Sequence, residues 1–413
     1  MQAKELTNTR RSTLWKKILI FLAVLGPGIV TGSVDNDVGG ITTYSVAGAT
    51  YGYNMLWTLV PAFIVLVVVQ EMNARMGIVT GKGLADLIRE NARVKLTFVI
   101  FIALLIADLL NTATEFAGVA GSMQIFGVNK YVAVPIVAFV VWIMVVKGTY
   151  KMAERIFLIF SAALLSYVIS AMLAGPDWQS IGHAMVSPEI KGDYPWTAMV
   201  IGIIGTTIAP WMQFYMQSAV IEKKLTIKQY KYTVMDVVIG SIATVVVAFF
   251  IMVACASTLF AHGQQITDAA DAAGALAPLA GNLASMVFAF GLFIASIFAA
   301  TILPVATAFY VCEAFGFEAG IDKKWKEAPQ FYWLYTFIIL IPNSPLVAIS
   351  LWSQRINGIL LPIVLISMMI IINKKSVMGK HTNKLFQNVI GWVTIVILVG
   401  LSIFMVFSFL FTM

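Results

Sequence analysis

The residues able to do chemistry in this sequence are carboxylates placed where carboxylates are expensive. Asp37 lies inside a long apolar stretch, in the run Ser33-Val34-Asp35-Asn36-Asp37-Val38-Gly39-Gly40. A carboxylate at membrane depth costs on the order of several kcal/mol unless it faces a partner or a cavity. Two glycines follow it, and glycine weakens a helix. A carboxylate at a glycine break in a membrane helix is the pattern of an ion site in a transporter. Asp108 and Glu115 lie in a later apolar stretch, spaced to share one helix face. Asp35 belongs to the first break, with a functional and a rim position both open. Asp236 and Glu313 stand near the ends of apolar stretches, where a structural or interfacial role is the simpler reading.

A second break is expected where Gly202, Gly205, Thr206, Thr207 and Pro210 interrupt another apolar stretch. Proline removes a backbone donor, so the helix must kink or unwind there. Carbonyls freed at that depth are tolerated only against protein or a cavity. The available donors are therefore oxygens: Asp37, Glu115, backbone carbonyls, Gln213 and Gln354. They suit a hard divalent cation. Ca²⁺ wants about six to eight oxygens, whereas Mg²⁺ keeps several waters and needs only one or two carboxylates and some room. Gly39, Gly40 and Ala209 would leave that room. His183, His262 and His381 all fall in expected loops, so no imidazole is available at the site. No nucleophile–base pair or zinc ligand set lies in the apolar segments, which argues against an enzyme, and no bound cofactor is expected.

The elements that must position these groups are membrane helices. The chain has 413 residues, of which 60% are hydrophobic and 11% charged. Soluble domains carry about 25% charge. An all-α polytopic membrane protein follows. About eleven spans are expected at 17–50 (broken), 54–78, 96–126, 130–147, 152–174, 195–220 (broken), 233–259, 281–312, 330–343, 345–372 and 385–411, each near the ~20 residues a bilayer requires. Residues 81–93 suit an interfacial amphipathic helix, and the Ala-rich stretch 264–281 a short external one. The net charge of +7 is spread in short clusters between spans, which argues against a nucleic-acid partner. Alternate loops are basic: Arg75 to Lys95, Lys147 to Arg155, Lys223 to Lys231, Lys323 to Lys326 and Lys374 to Lys384. The opposite loops carry Asp177, Glu189, Asp193, Asp268 and Asp271. The positive-inside rule then puts the N-terminus in the cytoplasm and the C-terminus outside the cell membrane. Lys4, Arg10, Arg11, Lys16 and Lys17 precede an uncleaved first span rather than a signal peptide. Cys255 and Cys312 read as small buried hydrophobes. Breaks in the first and sixth spans suggest two inverted five-helix repeats, 17–174 and 195–372, with 385–411 as an extra helix, all in one transporter domain of residues 1–413. Lipid is the expected surrounding, and no obligatory protein partner is evident.

Several ordered motifs resemble the Nramp family of divalent-metal transporters. Gly26-Pro27-Gly28, eight residues on, Asp37-Val38-Gly39-Gly40 and then Ala47-Gly48-Ala49-Thr50-Tyr51-Gly52-Tyr53 are similar to the family's G-P-G, D-P-G-N and A-G-A-x-[FY]-G-Y. Ala74-Arg75-Met76-Gly77-Ile78-Val79-Thr80-Gly81 is similar to A-K-L-G-I-A-T-G, and 354–362 and 374–379 also resemble family segments. The resemblance implies a LeuT-like fold, with the first and sixth helices discontinuous and a metal site between them. It implies ligands or wall residues at Asp37, Gly40, Glu115, Ala209, Trp211 and Gln354, with the metal as substrate. The departures fall on that site. The family's Pro is Val38 and its Asn is Gly40. Its M-P-H reads Ala209-Pro210-Trp211 aligned forward from Gly205, and shifts by one aligned back from Tyr215. Its D-L-A-E reads Glu115-Phe116-Ala117-Gly118.

A thioether favours softer transition metals over Mg²⁺, so its loss removes a filter. Loss of His and Glu removes proton carriers. The combination resembles the Nramp-related magnesium transporter branch. It leads to the expectation of Mg²⁺ transport, with Mn²⁺ also carried, by alternating access without obligatory proton coupling. The alternatives are a proton-coupled Mn²⁺/Fe²⁺ importer using Asp37 and Asp108, a non-transporting sensor, and a sodium-coupled carrier of organic solutes.

Overall fold

The structure is a computed structural model describing residues 24–92, 94–148, 150–267, 269–340 and 347–412. The N-terminal basic residues, the start of the first expected span, Arg93, Asp268 and the junction between the ninth and tenth spans lie outside the described residues. Every regular element within them is helical.

The first expected span is two helices, α1 (Pro27–Val34) and α2 (Val38–Tyr51), separated by Asp35, Asn36 and Asp37. A 3₁₀ turn, Gly52–Thr58, joins α2 to α3 (Leu59–Thr80). Gly81, at φ +64, closes α3 in the left-handed region that glycine adopts freely. The interfacial helix is α4 (Leu84–Asn91), followed by α5 (Val94–Ile125) and α6 (Lys130–Val146). The fifth span is stepped, as α7 (Tyr150–Ala163) and α8 (Ser166–Leu173). A short α9 (Trp178–Val186) holds His183, which was expected in a loop. The sixth span breaks at Ile208–Ala209, between α10 (Tyr194–Thr207) and α11 (Pro210–Glu222). Then come α12 (Tyr230–Cys255), α13 (Ala269–Ala280) in the Ala-rich stretch, α14 (Asn282–Phe315), α15 (Pro329–Leu340) and α16 (Val347–Ile372). A one-turn α17 (Lys375–Met378) precedes α18 (Leu385–Thr412).

Among the described residues, eight helical stretches are long and apolar enough to cross a membrane. Eleven spans were expected, and the lower number of stretches that meet this length and hydropathy has two causes. α2 and α3 run on as one stretch, Val38–Thr80, while α6 and α15 are only 17 and 12 residues long. The architecture is the LeuT-like one, with two inverted five-helix repeats, an eleventh helix, and discontinuous first and sixth helices.

α12 grips α1 at both ends. Asp236 accepts hydrogen bonds from the Gly26 and Gly28 N–H groups at 3.0 and 2.6 Å. These are donors that a helix start leaves unpaired. At the other end Thr244 donates to the Gly32 carbonyl, and its own carbonyl accepts from Asn36 at 3.3 Å. Small residues permit this approach. A Cβ on Gly28 would sit 2.6 Å from the Val237 nitrogen, and one on Gly32 would sit 2.7 Å from the Gly240 carbonyl oxygen. Close backbone packing of this kind is the main attraction between helices in lipid. Asp236 is thus the structural residue its position suggested.

Glu313 is structural too. It accepts from Ser218 of α11 at 2.6 Å, and Gly83 at the start of α4 lies directly against it. Arg75 departs from expectation. It was counted as a loop cation, but it lies within α3, only 5% exposed. It pairs with Glu71 at 3.1 Å and donates to the His381 and Thr382 carbonyls at 3.0 Å and to Asn383 at 2.5 Å. Glu71 also accepts from Gln387 at 2.8 Å and from Tyr230. The helical turn of α3 buries this charge, and the start of α18 comes back to satisfy it.

Asp236→Ala should destabilise the protein by about 1–3 kcal/mol, the cost of leaving buried donors unpaired. Thermal unfolding of the detergent-solubilised protein measures this, and an unchanged midpoint would show that α1 is held by other contacts.

Candidate functional site

The first turn of α2 presents unpaired N–H groups to the break, and two carboxylates answer them. Asp37 is the N-cap and accepts from the Gly40 N–H at 2.6 Å. Glu115, reaching from α5, accepts from the Val38 N–H at 3.2 Å. Both sit at the positive end of the helix dipole, where negative charge is favoured. Asp37 is 3% exposed and Glu115 is fully buried. Asp37 is also the charge that Asp35, Asp108 and Glu115 each face. Asp108 lies on the seam with α14, where Thr307 donates to it at 3.3 Å.

Gln354 reaches the break because α16 packs tightly on α10. A Cβ on Gly205 would meet the Gly358 nitrogen at 2.5 Å, and one on Gly358 would sit 2.8 Å from the Ile201 carbonyl. The Gln354 amide then lies on Gly39, where a side chain would overlap it. Its Oε1 accepts from Asn357 at 3.1 Å, while its Nε2 and the Asn357 Oδ1 have no partner. Turning both carboxamides would make the reverse bond and direct the Gln354 oxygen into the break, so this side chain can offer oxygen to a cation.

Two expected site residues act differently. Gly40 was expected to leave room, yet a Cβ there would sit 2.7 Å from the Asp35 carbonyl and 3.1 Å from the Thr206 hydroxyl. Its space is filled by backbone, and its N–H serves Asp37. The space at Gly39 is likewise taken by Gln354. Ala209 is extended (φ −61, ψ 143), as the helix break requires. Its carbonyl, the expected ligand, is already engaged by the Met212 N–H at 3.2 Å and the Gln213 amide at 3.1 Å. Gln213 in turn accepts from Asn73 at 2.5 Å. An ion using the Ala209 carbonyl must displace Gln213. Trp211 is buried beside Tyr215, in the same apolar cluster as Val34 and Ala209. The three histidines lie outside the spanning helices.

Among the described residues no three Asp, Glu, His or Cys side chains converge as a metal cage. Sequence reasoning also missed Tyr44, whose buried hydroxyl pairs with Thr207 at 2.8 Å across the two breaks. Its place seven residues after Asp37, on one face of α2, was the available signal. Asn73 carried no such signal.

A family model described as "Natural resistance-associated macrophage protein-like" matches residues 28–408. The chain belongs to the Nramp family. Nramp proteins are membrane transporters of divalent metal cations rather than enzymes; they carry the metal as substrate and need no bound cofactor. The chain is 26% identical over 402 residues to the divalent metal cation transporter MntH of Yersinia pestis, covering 95% of this chain and 96% of the relative. It is 27% identical over 403 residues to MntH of Deinococcus radiodurans, covering 94% and 90%. In fold it is similar to the Eremococcus coleocola manganese transporter, with a TM-score of 0.75 at 21% identity, covering 96% and 88%. It is also similar to MHP1, a nucleobase-cation-symport-1 family transporter, with a TM-score of 0.61 at 10% identity, covering 93% and 92%.

Three departures from the Nramp pattern form one physical unit. Val38 supplies an N–H that the family's proline lacks, and Glu115 binds that N–H. The Val38 side chain then occupies the place of the family's second acidic residue. A Cβ on Gly118 would overlap Val38 and sit 2.5 Å from the Ser296 hydroxyl. Restoring the acid by Gly118→Glu alone should therefore overpack the α2–α5 contact and cost about 1–3 kcal/mol, with less monodisperse protein in gel filtration. Adding Val38→Ala should recover most of the loss. Full recovery of the single variant would show that α2 and α5 separate freely.

Proposed function

We propose that this Nramp protein carries Mg²⁺, and also Mn²⁺, by alternating access without obligatory proton coupling, as a member of the Nramp-related magnesium transporter branch. The observation that carries the reading is the donor set at the break. Asp37 and Glu115 are carboxylates, Gln354 is a carboxamide, and, aligned forward from Gly205, alanine stands where the family pattern has a thioether. Hard oxygen donors without sulfur or imidazole suit a cation that keeps part of its water shell. Among the described residues no three Asp, Glu, His or Cys side chains converge, which suits an ion that retains waters and needs only one or two carboxylates. Gly118 in place of an acid, and no histidine near the break, support uncoupled transport.

Asp37 anchors the ion, and Glu115 contributes charge through its partnerless Oε1. Gln354 and the Ala209 carbonyl complete the shell as Gln213 withdraws, and Trp211 forms a wall. Gly40 fixes Asp37 through its N–H. The basic alternate loops support a cytoplasmic N-terminus and an extracellular C-terminus, with residues 1–413 forming one transport domain. An inward-negative potential, worth about 2.3 kcal/mol per charge per 100 mV, is sufficient to drive uptake.

The second reading is a proton-coupled Mn²⁺/Fe²⁺ importer using Asp37 and Asp108. The Eremococcus coleocola relative, named as a manganese transporter, supports the Mn²⁺ part of it, and the burial of Asp108 in sight of Asp37 supports a proton carrier there. Proteoliposome uptake separates the two. Mg²⁺ flux should occur without a pH gradient, move no protons, and vanish in Asp37→Ala. Mg²⁺-driven acidification of the lumen would establish the coupled reading instead. Ala209→Met should shift selectivity from Mg²⁺ toward Mn²⁺ about tenfold, the equivalent of ~1.4 kcal/mol, and unchanged selectivity would remove this position from the filter.

A further inference from the structure

Among the described residues, Asp35 is the carboxylate at the break that no hydrogen-bonding group answers. Asp37 and Glu115 each accept a backbone N–H, Asp236 accepts three, and Asp108 accepts from Thr307. Asp35 is 1% exposed, and neither of its carboxylate oxygens has a hydrogen-bond partner. No salt bridge reaches it among the described residues. It is the C-cap of α1, so it stands at the negative end of that helix dipole, where another negative charge is disfavoured. The charge facing it is that of Asp37, another carboxylate.

Each of these features raises the cost of a buried anion, and an isolated buried carboxylate is not tolerated without compensation. Its surroundings are polar. The Asn36 Oδ1 beside it also lacks a partner. The Asp35 carbonyl abuts Gly40, and Tyr44 is close enough to feel the Asp35 charge. Acceptors without donors, gathered beside Asp37, lack a positive charge.

We infer that Asp35 is a second anchoring carboxylate of the cation site, so that the transported divalent ion and its waters sit between Asp35 and Asp37. The inference rests on the transport reading above and extends it. It makes the first break a two-carboxylate clamp within four residues of chain, with Glu115 as a third negative charge held back by the Val38 N–H. It also explains why a helix C-terminus carries an acid with nothing to bind it, since the missing partner is the cargo.

The test uses the purified full-length protein with MgCl₂ and MnCl₂ as probes, comparing wild type, Asp35→Asn and Asp37→Asn. Asn mimics the neutral acid in shape. Without divalent ion, Asp35→Asn should unfold at or above the wild-type temperature, because an unpaired buried charge is gone. Its Mg²⁺ affinity by titration calorimetry should fall about 10- to 100-fold, the range for losing a group that acts on a metal through its outer shell. The apparent Km for proteoliposome uptake should rise by a similar factor. Wild-type affinity in Asp35→Asn, with binding lost in Asp37→Asn, overturns the inference and leaves the Asp37 site standing. Wild-type affinity in both variants overturns the site itself. An ion-free Asp35→Asn less stable than wild type marks Asp35 as a structural partner and overturns the inference as well.

Discussion

A helix interrupted where no water can reach must have its open ends satisfied by protein, and this structure is organised around that constraint. Each break frees N–H and C=O groups that would cost several kcal/mol apiece in hydrocarbon. At the first break, Asp236 and Thr244 of α12 hold the two ends of α1, and Asp37 and Glu115 hold the start of α2. At the second, Gln213 closes on the Ala209 carbonyl and is itself held by Asn73. The groups that complete the helix ends are therefore the same groups that can meet a cation. The site is a consequence of the break, because the donors and acceptors needed for stability are already assembled there.

Glycine makes the assembly possible by removing distance. Gly28, Gly32 and Gly240 let α1 and α12 touch at the backbone, while Gly205 and Gly358 let α16 lie on α10 and deliver Gln354. Two hydrogen-bonded bridges then enclose the break. Tyr44 to Thr207 ties α2 to α10, and Asn73 to Gln213 ties α3 to α11. Each joins a piece of one broken or adjoining helix to a piece of the other. Both bridges are single hydrogen bonds between neutral groups, of modest net strength, about 1 kcal/mol each. Farther along α3, the buried Arg75–Glu71 pair and its carbonyl partners near α18 form a denser clamp. Partner loss in such a pair is costly, so that end of α3 is tied to the segment before α18 by a buried charge as well as by packing.

Much of this was legible in the sequence because membranes restrict the options. Hydrophobic length gave the spans, Pro210 and the Asp37-Val38-Gly39-Gly40 run gave the breaks, and the spacing of Asp108 and Glu115 put both on one face of α5. A residue's chemical type determined that Asp37 had to face something polar. It could not say what, because the answering groups come from helices far away in the chain: Val38 for Glu115, Gly26 and Gly28 for Asp236, the carbonyls after α17 for Arg75. The short α6 and α15 show the same limit from the other side, since length alone does not establish a span that leans on its neighbours.

The sequence by itself determined the class of protein, the two interruptions, the family resemblance and which carboxylates fall at the first break. These depend on composition and on order along the chain, and the absence of water inside a bilayer makes both decisive. Tertiary structure decided how the substitutions fit together. Glycine at 39 and 40 suggested space, yet the Gln354 amide and the Asp35 carbonyl fill it. Val38, Glu115 and Gly118 appeared as three separate departures, yet one hydrogen bond and one packed side chain make them a single change. The sequence left Asp35 open between a functional and a rim position, and only the folded structure shows that Asp37 is answered by backbone while, among the described residues, neither Asp35 carboxylate oxygen has a hydrogen-bond partner. The physical reason is that satisfaction of a buried polar group is a property of its neighbours in space, and those neighbours are chosen by helix packing rather than by position in the chain.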